Sequence, residues 1–321
     1  VMTENAAMFL TGPGVVKDVM GEDVTAAELG GHKVHDRNGV CDLVVADDRA
    51  AATLSRSLLS YLPQHSEAGL PRTLSVEPEL ADPGAAVPDD PRQVYDVRDA
   101  IAGIVDGGSL LEIQPRWARS IVTGFARIDG RPVGVIANQP RYLGGVLDAE
   151  SSQKGARFVE TCNAYGIPLV VLVDTPGFMP GTRQEQAGVI RFGATLVRAF
   201  AAATVPRITV ILRKAYGGAF ITMNSKDLGA DLVFAWPGAE IGVMGAQPAV
   251  GIIHRRELAA AEDPVAARAE LAAAYADEHL GAHVAAAHGF ADEVIEPSAT
   301  RRRLAWALGT MDDRRSGAVL A

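Results

Sequence analysis

Apolar positions recur along this chain in two periods. Short β-branched or aliphatic runs stand at Leu110–Ile113, Ser120–Ile128, Val133–Ala137, Pro168–Val173, Arg207–Leu212, Asp231–Ala235 and Glu240–Val243, each the length of a strand. Between them the spacing predicts helices over Val94–Val105, Ala149–Tyr165, Gln184–Ala203 and Gly218–Leu228. Arg191 and Arg198 fall on the polar side of the third, and Arg255–His288 reads as helix except near Pro264. Asp129-Gly130 is a hairpin signal. Strands alternating with helices predict an α/β fold of parallel βαβ units with right-handed crossovers.

Upstream the pattern changes. Residues Val1–Leu62 show a strand-like opening, a turn at Thr11–Gly14, a Gly-rich loop at Gly30–Gly39 and an apolar strand at Val40–Val45. A helix, Asp48–Leu62, follows, with Leu54, Leu58, Leu59 and Leu62 on one face. Residues Pro63–Pro91 carry six prolines among polar positions, which denies regular structure and reads as an extended inter-domain linker. The chain opens at Val1, without Met and without the basic and apolar regions of an export signal. The opening Val1–Leu10 looks like the interior of a folded segment, so a fragment is expected.

The net charge of −9 argues against a general nucleic-acid binder, which needs a basic surface to displace counterions. The longest apolar run, Ile167–Val173, suits a buried strand and not a membrane span. Cys41 and Cys162 are too few for a disulfide scaffold or a Cys-based zinc module and are expected to be buried thiols. His279 and His283 stand four apart, but nothing nearby completes a metal site, so no metal is expected. A structural role is the better reading for His32 and His35, a solvated helix face for Arg301–Arg303, and core or interface positions for Trp117, Trp236 and Trp306.

Two Gly-rich transitions leave buried strands for helices: Val170 to Gly181, containing Asp174-Thr-Pro-Gly177-Phe178, and Arg207 to Phe220, containing Tyr216-Gly217-Gly218-Ala219. Free N–H groups at such a helix start, with the positive dipole end behind them, suit a bound anion or a developing oxyanion. The competing reading is that Gly217-Gly218-Ala219 only permits tight packing of helix on strand. Asp174-Thr-Pro-Gly177 imitates a GTPase switch, but no GxxxxGK[ST] loop precedes it, and Asn224-Ser-Lys-Asp227 has the wrong order for guanine recognition.

From Tyr95 to Arg301 the sequence resembles the C-terminal half of the carboxyltransferase (β) subunit of biotin-dependent acyl-CoA carboxylases, of the acetyl- and propionyl-CoA carboxylase type. The resemblance rests on Lys154-Gly-Ala-Arg-Phe158, Leu172-Val-Asp-Thr-Pro-Gly-Phe178, Gly181 with Gln184-Glu185, and Gly188-Val-Ile-Arg191. It continues through Arg213-Lys-Ala-Tyr-Gly-Gly-Ala219, Ala235-Trp-Pro237, Val243-Met-Gly-Ala246 and Gly289-Phe-Ala-Asp292. Phe9-Leu-Thr-Gly-Pro13, Val15-Val-Lys17, Gly21-Glu-Asp-Val24 and Leu29-Gly-Gly31 look like the end of the family's N-terminal half. The departures are Gly14 for a usual Asp, a loop between His35 and Gly39 one residue short, Asn163 for Asp, and Gln247-Pro248 for Lys/Gly.

The resemblance implies a crotonase-like ββα superhelix. Residues 1–62 would be the end of an N-terminal domain present only in part, 63–91 the linker and 92–312 a complete C-terminal carboxyltransferase domain. It implies carboxyl transfer from carboxybiotin, carried covalently on a partner carrier protein, to acetyl-CoA or propionyl-CoA, giving malonyl-CoA or methylmalonyl-CoA. A biotin carboxylase or biotin carboxyl carrier (α) subunit would be the partner, in a cytoplasmic assembly of dimers building a hexamer. Gly218 and Ala219 would form the biotin-side oxyanion hole, and Gly177, Phe178, Gly217 and Gly245 would line its pocket. Ile221 would sit near the end of the acyl chain, unless helical periodicity simply makes it core. Such chemistry stabilises two enolate-like oxygens and needs no dedicated His or Glu base. The alternatives are a biotin-dependent decarboxylase or transcarboxylase, or a non-catalytic assembly subunit.

Overall fold

The computed structural model describes residues 1–317, with side chains through Met311. Among the described residues ten strands form: β1 (Met2–Thr3), β2 (Val44–Val45), β3 (Leu111–Ile113), β4 (Ile121–Ile128), β5 (Arg131–Asn138), β6 (Leu169–Thr175), β7 (Arg207–Tyr216), β8 (Leu232–Ala235), β9 (Glu240–Gly242) and β10 (Glu293–Val294). β1 and β2 pair in parallel; the others build one mixed sheet in the order β10-β8-β7-β6-β5-β4-β3. β3, β4 and β5 run antiparallel, and β5, β6, β7, β8 and β10 run parallel. β9 takes over the C-terminal half of β7 where β8 ends.

Both faces of the sheet are covered, which is why its strands read as continuous apolar runs. Helices Ala149–Ala164 and Val189–Ala202 close one face, where Phe158, Leu196 and Phe200 meet Val171 and Val173. Helices Val97–Ala102 and Thr300–Gly317 close the other, where Ile101, Leu304 and Leu308 meet Val170, Leu172 and Val210. Asp129 and Gly130, at φ 52° and 73°, make the expected hairpin turn. The Asp106 carboxylate accepts both turn N–H groups, at 2.9 and 2.8 Å.

Several boundaries differ from the sequence pattern, each for a local reason. The helix expected over Gln184–Ala203 breaks at Gly188 (φ 81°) into Thr182–Gln186 and Val189–Ala202. The one expected over Gly218–Leu228 spans only Gly217–Thr222. Asn224 turns left-handed (φ 59°), and its side chain meets Arg207 Nη1 and Thr209 Oγ1. The turn at Thr11–Gly14 starts a helix instead, Pro13–Met20, with Pro13 at its first position. The Gly-rich loop holds a short helix, His32–His35, after another at Ala26–Gly30, and a further helix, Ala246–Ile253, escaped the pattern.

Arg301 and Arg303 correct the reading of a solvated face. Arg301 ion-pairs with Asp106 at 2.8 Å and donates to the Ile104 and Val76 carbonyls. Arg303 pairs with Glu293 and stacks on Trp306. Trp117 and Trp236 are buried as expected, while Trp306 is half exposed. Cys41 and Cys162 are buried, and desolvation pushes the Cys162 thiol far above its usual range.

The proline-rich segment has little regular structure, as expected, yet it is a strap laid on the body. Thr73 donates to the Gly130 carbonyl at 3.1 Å and Glu79 N to Ala102 at 3.0 Å. Strap carbonyls lack ladder partners, so arginines serve them: Arg127 donates to Pro71 at 2.8 Å and Arg301 to Val76 at 3.0 Å.

Lys154 is among the largest fully buried side chains of the described residues. Its ammonium donates to the carbonyls of Gln114, Trp117 and Ile121 at 2.9, 3.0 and 2.9 Å. That loop, left-handed at Gln114 and Ala118, holds the N-terminal segment: Gln114 N donates to Asp42 O and Gln114 Nε2 to Gly39 O. Burial pulls the ammonium down to about 8, so it still carries its proton at neutral pH. Lys154→Met keeps the bulk and leaves three buried carbonyls without their donor. The expected loss is ~3 kcal/mol or more, read by chemical denaturation, since each orphaned group costs about 1–3 kcal/mol. A loss under about 1 kcal/mol would mean the loop holds itself.

Candidate functional site

The candidate site lies at the C-terminal ends of β6 and β7, where both Gly-rich turns emerge, the usual place for a ligand in a parallel sheet. The strands pair regularly up to Val173↔Ile211, then resume at Thr175↔Ala215. β7 thus carries three residues opposite Asp174 alone. The bulge brings two cations to one buried carboxylate: Arg213 Nε donates to Asp174 Oδ2 at 3.0 Å, and Lys214 Nζ lies 3.7 Å from Oδ1. Burial lowers the Lys214 ammonium below its usual range, and the Asp174 charge acts against that.

The same two side chains fasten the end of the strap. Arg213 Nη1 donates to the carbonyls of Pro88, Asp90 and Gln93 at 3.3, 3.0 and 3.0 Å, and Lys214 Nζ to Pro91 at 3.1 Å. The guanidinium also lies over the Tyr95 ring, 5.0 Å from its centroid.

Beyond the pair, β7 runs into its turn. Gly217 is left-handed (φ 58°), and a Cβ there would stand 2.9 Å from the Val243 carbonyl oxygen. Gly218 is exposed and Ala219 fully buried, and both open the helix Gly217–Thr222. Their N–H groups belong to the first turn, which has no intrahelical acceptor. Thr222 Oγ1 donates back to the Gly218 carbonyl at 2.7 Å.

The β6 turn packs beside it. Leu147 N donates to Gly177 O and Met179 N to Leu147 O, which pins the loop at Phe178. The Phe178 ring wedges between two glycines: a Cβ on Gly193 would meet it at 3.0 Å, and one on Gly218 at 3.8 Å. Gly245, before the helix Ala246–Ile253, faces Tyr216, whose ring a Cβ there would meet at 3.2 Å. Gly177, Phe178, Gly217, Gly218, Ala219 and Gly245 are thus brought into one neighbourhood. Ile221 is 46% exposed, next to the last residue of the helix Gly217–Thr222, so the reading that makes it core is overturned.

Sequence reasoning passed over Asp174, Arg213 and Lys214 as a unit. The available signal was a carboxylate and two adjacent cations at the ends of largely apolar runs. His279 edges onto Tyr275 at 4.7 Å between centroids, and His35 Nε2 meets the Met8 carbonyl at 2.6 Å. Among the described residues no group of three or more His, Cys, Asp or Glu is placed to hold a metal. Nor is any helix among them long and apolar enough to cross a membrane.

The family model described as "Carboxyl transferase domain" matches residues 1–316. The methylmalonyl-CoA carboxyltransferase 12S subunit of Propionibacterium freudenreichii subsp. shermanii is 50% identical over 314 residues, covering 96% of this chain and 59% of that protein. The propionyl-CoA carboxylase carboxyltransferase subunit of Haloferax mediterranei is 48% identical over 322 residues, covering 98% and 62%. The crystal structure of transcarboxylase 12S, a hexamer assembly with methylmalonyl-coenzyme A and methylmalonic acid bound, aligns with a TM-score of 0.89 at 48% identity, covering 96% of this chain and 60% of that one. The architecture is the expected crotonase-like α/β one. The chain spans about three-fifths of the length of the curated relatives it matches.

Because Arg213 bonds the buried Asp174 carboxylate through its guanidinium, its loss is a direct test of the frame. Arg213→Met leaves the Asp174 charge buried beside Lys214 alone and cuts two bonds to the strap and one to Gln93 just beyond it. Breaking a buried pair costs about 3–5 kcal/mol. Unfolding should show that loss, and limited proteolysis should find new cleavage between residues 86 and 94. Wild-type stability and an uncut strap would assign the anchoring elsewhere.

Proposed function

The chain belongs to the carboxyl transferase domain family, and from that premise we propose that it carries the biotin-side half of a carboxyl-transfer site acting on a short-chain acyl-CoA. The observation that carries this reading is the Gly217-Gly218-Ala219 turn. It presents two adjacent first-turn N–H groups at the end of β7, beside Phe178, with no side chain on the exposed residue. Gly218 and Ala219 donate those N–H groups to the ureido oxygen of biotin as charge develops on it, and Gly177, Phe178, Gly217 and Gly245 shape the pocket. The fit rests on Gly218: an oxygen can approach the exposed backbone where any side chain would stand in its way. Carboxybiotin, held on a partner carrier protein, supplies the carboxyl group and the base for the acyl α-proton, so this chain contributes binding, orientation and oxyanion stabilisation.

In this reading residues 1–62 end an N-terminal domain, 63–91 are the strap between the halves, and 92–312 are the carboxyltransferase domain. A biotin carboxylase or carrier subunit is the partner, and the full-length subunit assembles as dimers into a hexamer in the cytoplasm. Transfer within a transcarboxylase is a second reading, favoured by the 50% identity to the Propionibacterium freudenreichii 12S subunit.

Two substitutions test the assignment in the full-length subunit assembled with its biotin-carrying partner. Gly218→Pro removes one donor outright. Losing one oxyanion donor costs about 2.7–4 kcal/mol, roughly a hundred- to a thousandfold in rate. An unchanged rate in a variant with wild-type circular dichroism removes the assignment.

Ile221 is the proposed determinant of acyl-chain choice, its exposed aliphatic side chain closing the far end of the pocket. The wild type is expected to accept acetyl-CoA at least as well as propionyl-CoA. Ile221→Asp should shift the kcat/KM ratio toward propionyl-CoA by tenfold or more, since a one-methylene discrimination is worth about 1–3 kcal/mol. A ratio that stays within twofold places chain choice elsewhere.

A further inference from the structure

Tyr216 is the last residue of β7 and the residue before the Gly217–Ala219 turn. Its side chain is buried, and its hydroxyl donates to the Glu240 carboxylate on β9. β9 is the strand that pairs with this end of β7, in the register Lys214↔Glu240 and Tyr216↔Gly242. From β9 the chain passes Val243, whose carbonyl oxygen faces Gly217, and reaches Gly245, whose Cα faces the Tyr216 ring. A Cβ on Gly245 would stand 3.2 Å from Cε2, 3.4 Å from Cζ and 3.5 Å from Oη of that ring.

These contacts close a loop: turn backbone, Tyr216 side chain, Glu240, β9, Val243–Gly245, and back to the turn. We infer that Tyr216 and Glu240 are positioning residues, whose hydrogen bond braces the Gly217–Ala219 turn against the Val243–Gly245 segment and so sets where the Gly218 and Ala219 N–H groups point. Burial, with the nearby Glu240 and Asp174 charges, pushes the Tyr216 hydroxyl far above its usual range, so it remains a donor at any working pH. Backbone N–H groups carry no rotamer of their own, and their aim is only as fixed as the turn that bears them. A small misplacement at an oxyanion site lowers rate without loosening substrate binding elsewhere.

The inference rests on the proposed role of the turn, so its test has one arm that needs no activity. Hydrogen exchange by mass spectrometry on this chain should show Tyr216→Phe exchanging at least fivefold faster than wild type in peptides covering both 217–222 and 243–250, with the peptides of helix Ala149–Ala164 unchanged. Glu240→Ala, which leaves the ring in place, should do the same should Tyr216→Phe fail to fold. Glu240→Gln, which keeps an acceptor oxygen, should stay close to wild type. In the full-length assembly, Tyr216→Phe should lower kcat about tenfold, leave KM for acyl-CoA within twofold, and be matched by Glu240→Ala but not by Glu240→Gln. Exchange unchanged in both Tyr216→Phe and Glu240→Ala overturns the brace. Faster exchange with undiminished kcat overturns its bearing on the reaction. A wild-type assembly without carboxyl transfer overturns the function instead, while the exchange arm still decides the brace.

Discussion

The buried pair between Asp174 and Arg213 is the constraint on which the site depends. A carboxylate without solvent at the end of β6 is tolerable only with a cation held against it, and Arg213 supplies one at 3.0 Å from within a β7 bulge. That requirement explains the register break, because an unbroken ladder would carry Arg213 past Asp174. It also fixes where β7 ends, and hence where Gly217 turns into the helix. An apolar pair of equal volume would be no less stable in principle. What the ions add here is multiple hydrogen bonding: one guanidinium reaches the carboxylate, two strap carbonyls and that of Gln93.

The strap shows the same solution repeated. Residues rich in proline cannot pair in a ladder, so their carbonyls need donors from elsewhere. Arg127, Arg213 and Arg301, from three separate elements, reach out to them. The planar fork of arginine, with five N–H groups, serves several carbonyls at once where lysine would serve fewer. Lys154 plays the corresponding part on the other side of the sheet, where three carbonyls converge on a single point. A segment without regular structure is in this way as firmly placed as a strand.

The two Gly-rich turns are coupled through an aromatic side chain. Phe178 from one turn lies against Gly218 of the other, and Gly193 makes room for its ring. Tyr216 reaches from the second turn to Gly245. The glycines therefore serve two ends together, close approach of backbone to a ligand and close approach of an aromatic ring. For that reason the two readings of Gly217-Gly218-Ala219, packing and binding, are not exclusive.

Much of this was legible in the linear pattern. Strands buried on both faces announce themselves as β-branched runs, and β4 to β8 lie close to where those runs predicted. The motifs around Phe178 and Ala219 pointed to the family because backbone geometry there demands particular residues in order. Helix ends were less legible, since Gly188 and Asn224 stop helices through left-handed φ angles that residues of their type adopt in one context and not in another. Least legible were the long-range charges. Asp174 with Arg213, Lys154 with its three carbonyls, Arg301 with Asp106, and Tyr216 with Glu240 join residues 24 to 195 positions apart. Periodicity reports which face a residue occupies, but only the packed sheet decides which distant group it meets there, because a buried charge or hydroxyl must find whatever partner the fold has placed within reach.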